Sequence, residues 1–187
     1  MAREKQVRRI INPPIGLLGM LLNIYLMGCS ASVQANLKDE LSSTCQQLPS
    51  PSPSDMNLGQ NLPISAQTAI GDEIICLELA QTTRQQQIGL MYRTSLAADR
   101  GMLFPYNPPR NVRFWMRNVR IPLDMVFLRD GEVMHVEANV PPCVSPECPT
   151  YGPELPIDQV LELRGGRVAE LGVEVGDQIN VIFLENN

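Results

Sequence analysis

The chain has 187 residues, of which 44% are hydrophobic, and its formal net charge at pH 7 is −5. This acidic balance argues against nucleic acid as a partner, because a polyanion repels a protein of the same sign. The chain contains a single His, so any His-dependent nucleophile or metal site has only one imidazole to use.

The first residues follow the pattern of an export signal. Met1–Arg9 is basic, and Ile15–Met27 is an apolar run too short to span a bilayer comfortably. The sequence Leu26-Met-Gly-Cys29 resembles a lipobox, in which the signal is cut before the Cys and the Cys is acylated. We therefore expect residues 1–28 to be a lipoprotein signal peptide. Cys29 would then anchor the mature protein to a bacterial membrane, facing the periplasm or the cell exterior. An uncleaved N-terminal anchor is the alternative.

Residues 29–69 contain no aromatic side chain and are rich in Ser, Gln and Pro. A segment of this composition cannot bury enough apolar surface to offset the conformational entropy that ordering removes. We predict a disordered tether, which leaves residues 70–187 as one β-rich globular domain.

The pattern of residues 70–187 is mainly β. Short apolar runs are separated by turn sequences such as Asp130-Gly131, and a Thr83-x-x-Gln86 capping box opens one short helix. This pattern predicts a small closed or nearly closed β-barrel with one or two short helices. The predicted strands are Ile74–Ala80, Gly101–Phe104, Val112–Arg117, Pro122–Leu128, Glu132–Val140, Gln159–Leu163 and Gln178–Leu184, and a second helical turn is predicted at Arg167–Leu171.

The stretch Gly101–Leu128 holds the only Trp of the chain and all but one of its Phe residues. A guanidinium is costly to bury, so we expect the face of the second strand that carries Arg residues to be the functional surface and the other face to be core. Alternation places Phe114, Met116 and Asn118 on the core face, and Arg113, Trp115 and Arg117 on the functional face.

Five short motifs follow one another between residues 87 and 177. They are Gln87-Ile-Gly-Leu-Met-Tyr-Arg93, Gly101-Met-Leu-Phe104, Phe114-Trp-Met-Arg-Asn118, Ile121-Pro-Leu-Asp124 and Gly172-Val-Glu-Val-Gly-Asp177. In order and spacing they resemble the bacterial family called domain of unknown function 192, and the resemblance runs from about residue 70 to the C-terminus. It implies a compact, largely β domain that is often exported, and it implies no particular activity.

Four of the Cys residues raise the question of disulfides. Cys143 and Cys148 lie in a Pro-rich loop of an exported chain, so we predict that they pair. For Cys45 and Cys76, a bridge and two separate thiols are both open. A metal site would need Cys143, Cys148 and His135 to converge with a carboxylate, so we predict neither a metal nor a cofactor.

Two carboxylates, Asp124 and Glu162, stand inside apolar strands. A buried carboxylate needs a cation or several hydrogen-bond donors. In a structural interpretation, an Arg–Asp ion pair locks the corner before the third strand. In a functional interpretation, these side chains help to line a shallow polar pocket at one end of the barrel. The candidate ligand-binding residues are Arg93, Arg113, Trp115, Arg117, Asn118, Asp124 and Glu162.

Two functions fit these features. The first is a membrane-tethered, non-enzymatic envelope domain that binds a small ligand, a glycan or a protein segment through its Trp and Arg side chains. The second is a hydrolase or transferase on cell-wall or surface polymers, with Asp124 and Glu162 as an acid/base pair about 5–10 Å apart in an open cleft. We favour binding because the sequence has no nucleophile elbow and no phosphate loop. The expected partners are the membrane, through Cys29, and an envelope ligand or protein, with no nucleic acid.

Overall fold

Nine strands and two short helices make up the part of the chain that the structure describes, which is Cys45 and residues 59–184 of a computed structural model. The domain is therefore mainly β, as predicted. In chain order the elements are β1 (Ile64–Ile70), β2 (Glu73–Leu79), α1 (Thr83–Ile88), β3 (Arg100–Arg110), β4 (Phe114–Trp115), β5 (Leu123–Arg129), β6 (Glu132–Val140), β7 (Thr150–Tyr151), β8 (Ile157–Arg164), α2 (Arg167–Leu171) and β9 (Val181–Phe183).

Seven of the strands form one sheet in the order β6-β5-β8-β3-β2-β1-β9, and β4 pairs with β7 in a separate two-stranded sheet. All neighbours in the large sheet are antiparallel except β2 and β3, which run parallel. Parallel neighbours need a crossover connection, and the chain segment that contains α1 supplies it. This crossover positions α1 beside β3, where the candidate site lies.

The predicted closed or nearly closed barrel is not confirmed, because the seven-stranded sheet is not closed. Strand β9 has three residues and pairs with β1 only. The segment before it instead contacts the start of β6, where the amide of Val133 donates to Asp177 and that of Gly176 donates to Val133. A turn, rather than a strand, therefore covers that part of the β6 edge.

The side chains of β5 alternate between two hydrophobic cores, one on each face of the sheet. Val126 and Leu128 belong to the first core, which α2 helps to cover through Val168. Met125 and Phe127 belong to the second core, which is covered by residues that follow α1 and by those around β4. Because both faces are covered, residues 123–128 are all buried.

The predicted disordered tether is wrong in its last part, since Ile64–Ile70 is a strand of the large sheet. The strand was missed because three of its four buried positions are small or polar: Ala66, Gln67 and Thr68 are all at most 2% exposed. Composition rules weigh large apolar side chains, and β1 offers few. The remainder of the predicted tether, like the signal peptide and Cys29, lies outside the described residues apart from Cys45.

Strand β2 is buried on both of its faces. It lies inside the sheet between β1 and β3. Leu77 and Leu79 are buried on one face, and Cys76 and Glu78 are buried on the other. The capping box of α1 lies one residue earlier than predicted. Thr82 is the N-cap and exchanges hydrogen bonds with Gln85.

Within the described residues, the two helices span 83–88 and 167–171, and neither is long and apolar enough to cross a membrane.

Candidate functional site

The site is built on one row of side chains that crosses four neighbouring strands. Glu78 on β2 pairs with Met102 on β3, Met102 pairs with Glu162 on β8, and Glu162 pairs with Met125 on β5. Residues that pair across strands share a face of the sheet, so these four side chains all lie on the face of the second core. Two carboxyl groups are thus placed in an otherwise apolar layer.

Glu162 is the less well satisfied of the two carboxyl groups. It is 5% exposed, and its buried Oε2 has no hydrogen-bond partner among the described residues. Burial raises the pKa of Glu162 to about 8, and the positive charge of Arg93 opposes part of that shift. At pH 7 this side chain is therefore mostly a neutral carboxylic acid, which can both donate and accept a hydrogen bond.

The positive charge of Arg93 is already matched by another carboxylate. Its two terminal nitrogens lie 2.6 Å from the two carboxylate oxygens of Glu78, and Nη2 also donates to the carbonyl of Gln60 at 2.8 Å. Both side chains of the ion pair are largely buried. Arg93 is thus the ion-pair partner of Glu78. Its charge lowers the pKa of Glu162 from a distance, without a hydrogen bond between the two side chains.

Glu162 lines a small cavity that lies between β8 and the residues around α1. We call it the inner cavity. Its volume is about 30 Å³, close to the volume that one molecule occupies in liquid water. The polar and aromatic side chains that line it are Gln86, Gln87, Phe104, Phe114, Trp115 and Glu162.

Gly89 borders the same cavity at the end of α1. A Cβ at this position would lie 3.4 Å from the ring of Phe104, and its φ of +48° is in the region that favours glycine. The backbone at Gly89 therefore packs closely against Phe104.

A wider groove, which we call the outer cleft, shares four lining residues with the inner cavity. Its volume is about 380 Å³, within the range of small-molecule sites. The shared residues are Gln86, Gln87, Phe114 and Trp115. A ligand in the outer cleft could therefore extend one group towards Glu162.

Two side chains of the outer cleft form a stacked pair. The guanidinium carbon of Arg110 lies 4.7 Å from the ring centroid of Tyr106. Burial raises the pKa of Tyr106, the charge of Arg110 opposes that shift and the charge of Glu162 adds to it. The phenol therefore stays protonated and available as a hydrogen-bond donor throughout the neutral range.

The predicted exposure of Trp115 is consistent with the structure. Trp115 is 46% exposed and Met116 is fully buried, while Phe114 is partly buried beside Phe104 and Phe127. Asn118 is exposed, although alternation placed it with the core, because β4 ends at Trp115. The chain then turns, and Asn118 has a positive φ of 61°.

The Arg residues on either side of Trp115 have structural partners. Arg117 stacks over the indole at 4.7 Å and donates to the carbonyl of Pro146. Arg113 donates to the carbonyls of Thr150 and Gly152, which ties β4 to β7, and it also lines the outer cleft.

Asp124 is not part of this site. It pairs with Leu163, so it faces the first core, whereas Glu162 faces the second. The predicted acid/base pair is therefore wrong, since the sheet itself separates the two carboxyl groups. The predicted Arg partner is also wrong. Asp124 accepts hydrogen bonds from the backbone amides of Asn139, Gly166 and Val168 at 2.6–3.0 Å, and so holds the start of α2.

Both Cys pairs form disulfides. The predicted Cys143–Cys148 bridge is confirmed, and Cys45 is joined to Cys76, which decides between the two alternatives. The single His, His135, contacts Glu137 at 3.0 Å. In the described part of the chain, no three His, Cys, Asp or Glu side chains are grouped as a metal site requires.

Sequence analysis did not place Gln86, Gln87, Tyr106 and Arg110 in the site. The first two were noted only in the capping box and in a family motif, and the other two fall between the predicted strands Gly101–Phe104 and Val112–Arg117. That stretch is the end of the long strand β3. The sequence carries no signal for the stack of Arg110 on Tyr106, because residues four positions apart in a regular strand lie about 13 Å from one another.

Three comparisons place the chain among known proteins. The family model of domain of unknown function 192, described as "Uncharacterized ACR", matches residues 66–181. A protein of unknown function from Novosphingobium aromaticivorans is 32% identical, with a TM-score of 0.57 over 71% of this chain and 99% of that chain. A putative transcription regulator from Sinorhizobium meliloti is 35% identical, with a TM-score of 0.55 over 62% of this chain and 91% of that chain. Among curated proteins, none matches the chain.

Proposed function

The chain belongs to the family domain of unknown function 192, and from that premise we propose that it is a membrane-tethered envelope protein whose globular domain binds a small polar ligand without transforming it. The proposed binding site is the outer cleft together with the inner cavity. The ligand would stack on Trp115 and place one polar group against Glu162.

The observation that carries this proposal is the unpaired carboxyl group of Glu162. A buried polar atom without a partner costs free energy, so such atoms are rare in folded proteins unless a function retains them. This one borders a cavity that shares a wall with an open, partly aromatic cleft. A ligand group that hydrogen-bonds to Glu162 would remove the cost.

Catalysis has less support. A glycosidase-type mechanism needs a second carboxyl group on the same side of the substrate. Asp124 lies on the opposite face of the sheet, and Glu78 is already paired with Arg93. Glu162 with its raised pKa could act as a lone general acid, but the described cleft offers no second carboxyl group as its partner.

The proposed location rests on the Cys residues and the N-terminal sequence. Two disulfides are typical of proteins outside the reducing cytosol. The proposed arrangement is a signal peptide at residues 1–28, an acylated Cys29, and a flexible segment that ends before β1 rather than at residue 69. The description of the Sinorhizobium meliloti relative would point to DNA, but the net charge of −5 favours a different partner for this chain.

The single Trp makes the proposal directly testable, because all indole fluorescence comes from the mouth of the site. The full-length protein in a detergent without a sugar headgroup would be titrated with a library of monosaccharides, short glycans, amino acids and dicarboxylates. We expect at least one compound to change the Trp115 emission saturably and to shift the NMR signals of the Gln86 and Gln87 side-chain amides.

Two controls define the result. A Trp115→Phe variant keeps an aromatic wall, so NMR shifts of the Gln amides should persist while the fluorescence signal disappears. An Arg84→Gln variant, changed outside the inner cavity and the outer cleft, should bind as the wild type does. A library in which no compound perturbs the residues of the cleft would refute the proposed function.

A further inference from the structure

We infer that the ligand of this cleft is an acidic sugar, a pyranose that carries a carboxylate, with the carboxylate at Arg110 and a hydroxyl group at Glu162. This inference rests on the proposed function and narrows it to one class of ligand. It is carried by the opposite chemical character of the two ends of the site and by the aromatic wall between them.

The mouth of the site is cationic. The residues that line the outer cleft include Arg110 and Arg113 and no carboxylate. Arg113 is held by carbonyl groups of the β7 region. Arg110 is exposed and stacks on Tyr106, and no hydrogen bond or ion pair of its guanidinium occurs within residues 59–184. A guanidinium held by stacking alone keeps its N–H donors available for a carboxylate.

This cationic mouth stands on a protein whose formal net charge is −5. A second positive charge lies close by, because the guanidinium of Arg117 covers one side of the Trp115 ring. A negatively charged ligand is therefore attracted to this face although the protein as a whole repels it.

The floor of the site is a neutral acid. The charged and titratable groups around Glu162 are Arg93 from the segment after α1, Glu78 from β2 and Tyr106 from β3. Arg93 and Glu78 neutralise each other, and the phenol is uncharged. Burial keeps the pKa of Glu162 near 8, so at pH 7 its carboxyl group meets a ligand as a hydrogen-bond donor and acceptor rather than as an anion. A hydroxyl group of the ligand can accept a hydrogen bond from this carboxyl group and can also donate one to it.

The dimensions agree with a ring in the cleft and a hydroxyl group in the cavity. The inner cavity, at about 30 Å³, can hold a group of about the size of one water molecule, and the outer cleft, at about 380 Å³, can hold a ring. Between them stand the indole of Trp115, on which the C–H face of a pyranose can pack, and the amides of Gln86 and Gln87, which can bind further hydroxyl groups.

Three sugars with the same ring and different charge test the inference. D-glucuronate, D-glucose and D-glucosamine would be titrated against the full-length protein at pH 6.5, and binding would be followed by Trp115 emission and by NMR. Because a charge-assisted hydrogen bond contributes about tenfold or more in affinity, glucuronate should bind at least about tenfold more tightly than glucose, and glucosamine should bind most weakly. Tighter binding of glucosamine would mean that Glu162 receives a cation, and the inference would be wrong.

Two variants locate the ends of the ligand. Arg110→Gln should reduce the preference for glucuronate over glucose by about tenfold, whereas the exposed Arg84→Gln should leave it unchanged. Glu162→Gln cannot ionise but keeps a donor and an acceptor. Wild-type affinity for glucuronate should fall between pH 6.5 and 9.5 as Glu162 becomes an anion, and the affinity of Glu162→Gln should stay constant.

These outcomes separate the inference from the proposed function. If the broad library contains a ligand for the cleft but glucuronate binds no better than glucose, the acidic-sugar inference fails and the binding function stands. An affinity for glucuronate that does not respond to Arg110→Gln, or that falls with pH equally in wild type and Glu162→Gln, would also overturn the inference. If no compound binds in the cleft, both fail.

Discussion

Arg93 and Glu78 form a bidentate ion pair in which each terminal nitrogen of the guanidinium lies 2.6 Å from a different carboxylate oxygen. The amide of Leu62 adds a third hydrogen bond to Glu78 at 2.8 Å. With its charge matched in this way, Arg93 cannot compensate a negative charge on Glu162 in full. The pair therefore provides Glu78 with hydrogen-bond partners and leaves Glu162 without a cation of its own.

The raised pKa of Glu162 predicts that the protein loses stability as pH increases. The folded state keeps the proton up to about pH 8, whereas the unfolded chain releases it near the ordinary value of 4.5. The stabilising contribution is thus present in full below about pH 4.5 and is lost as pH rises through 8, with a maximum effect of about 5 kcal/mol at about 1.4 kcal/mol per pKa unit.

Urea unfolding at pH 5 and pH 9 measures this effect. Glu162→Gln should lose several kcal/mol less stability than the wild type between the two pH values, and Glu132→Gln, an exposed control, should behave as the wild type does. Equal pH dependence in wild type and Glu162→Gln would show that the carboxyl group is ionised in the folded protein.

Trp115, at the end of β4, is exposed, and Met116, which follows it, is buried. Truncation of these two side chains should therefore change the free energy of unfolding by different amounts. Trp115 is 46% exposed, so Trp115→Ala should change the free energy of unfolding by less than about 1.5 kcal/mol. Met116 is fully buried in the second core, so Met116→Ala should cost about 2–5 kcal/mol. Chemical denaturation of both variants tests the assignment, and a larger loss for Trp115→Ala would reverse it.

Asp124 should be a residue of stability and not of binding. Asp124→Asn replaces an acceptor oxygen by an amide group that faces backbone N–H donors, so we expect a loss of about 2–5 kcal/mol. Hydrogen exchange of the Val168 amide should accelerate, because this amide donates to Asp124 at 2.7 Å. The exposed Asp72→Asn is the matched control. A folded Asp124→Asn that loses only ligand affinity would contradict this role.

The two disulfides should contribute unequally. Cys143 and Cys148 are separated by 5 positions, and Cys45 and Cys76 by 31. On the loop-entropy estimate these bridges are worth about 2 and about 4 kcal/mol, respectively. Double Cys→Ala variants, compared by urea unfolding, should preserve this order. Mass spectrometry without reductant should find both pairs oxidised, and alkylation of either pair under those conditions would contradict the structure.

Export and acylation can be tested at Cys29. If Cys29 is the site of acylation, as we propose, Cys29→Ser should give a precursor that keeps residues 1–28 and takes up no labelled fatty acid. Cys45→Ala, which removes a Cys from the disulfide instead, should be processed and labelled normally. Normal maturation of Cys29→Ser would exclude the lipoprotein form.

Features that depend on neighbouring residues could be predicted from the sequence. The Asp130-Gly131 hairpin is an example, since both residues have positive φ values, 52° and 82°, as a tight turn between antiparallel strands requires. The exposure of Trp115 followed from strand alternation together with the cost of burying the Arg residues that share its face. The capping box was displaced by one residue because Thr82 and Thr83 can both cap a helix.

Features that depend on distant pairing could not be predicted. The partner of Asp124 is a set of backbone amides from two later segments, and backbone donors carry no signature in a sequence. The inner cavity exists because α1 crosses from β2 to a parallel neighbour and so lies beside β8, about 75 residues later in the chain. Periodicity within a strand does not show which strand lies beside it.

The last described residues cover both edges of the large sheet at once. Strand β9 pairs with β1 at one edge, and the turn at residues 176–179 bonds to Gly131 and Val133 at the other. Until these residues are available, two rows of unpaired backbone groups stay open to other chains. A chain that emerges N-terminus first can therefore protect neither edge before its final residues appear. We expect shortening at the C-terminus to produce aggregates rather than a smaller soluble domain.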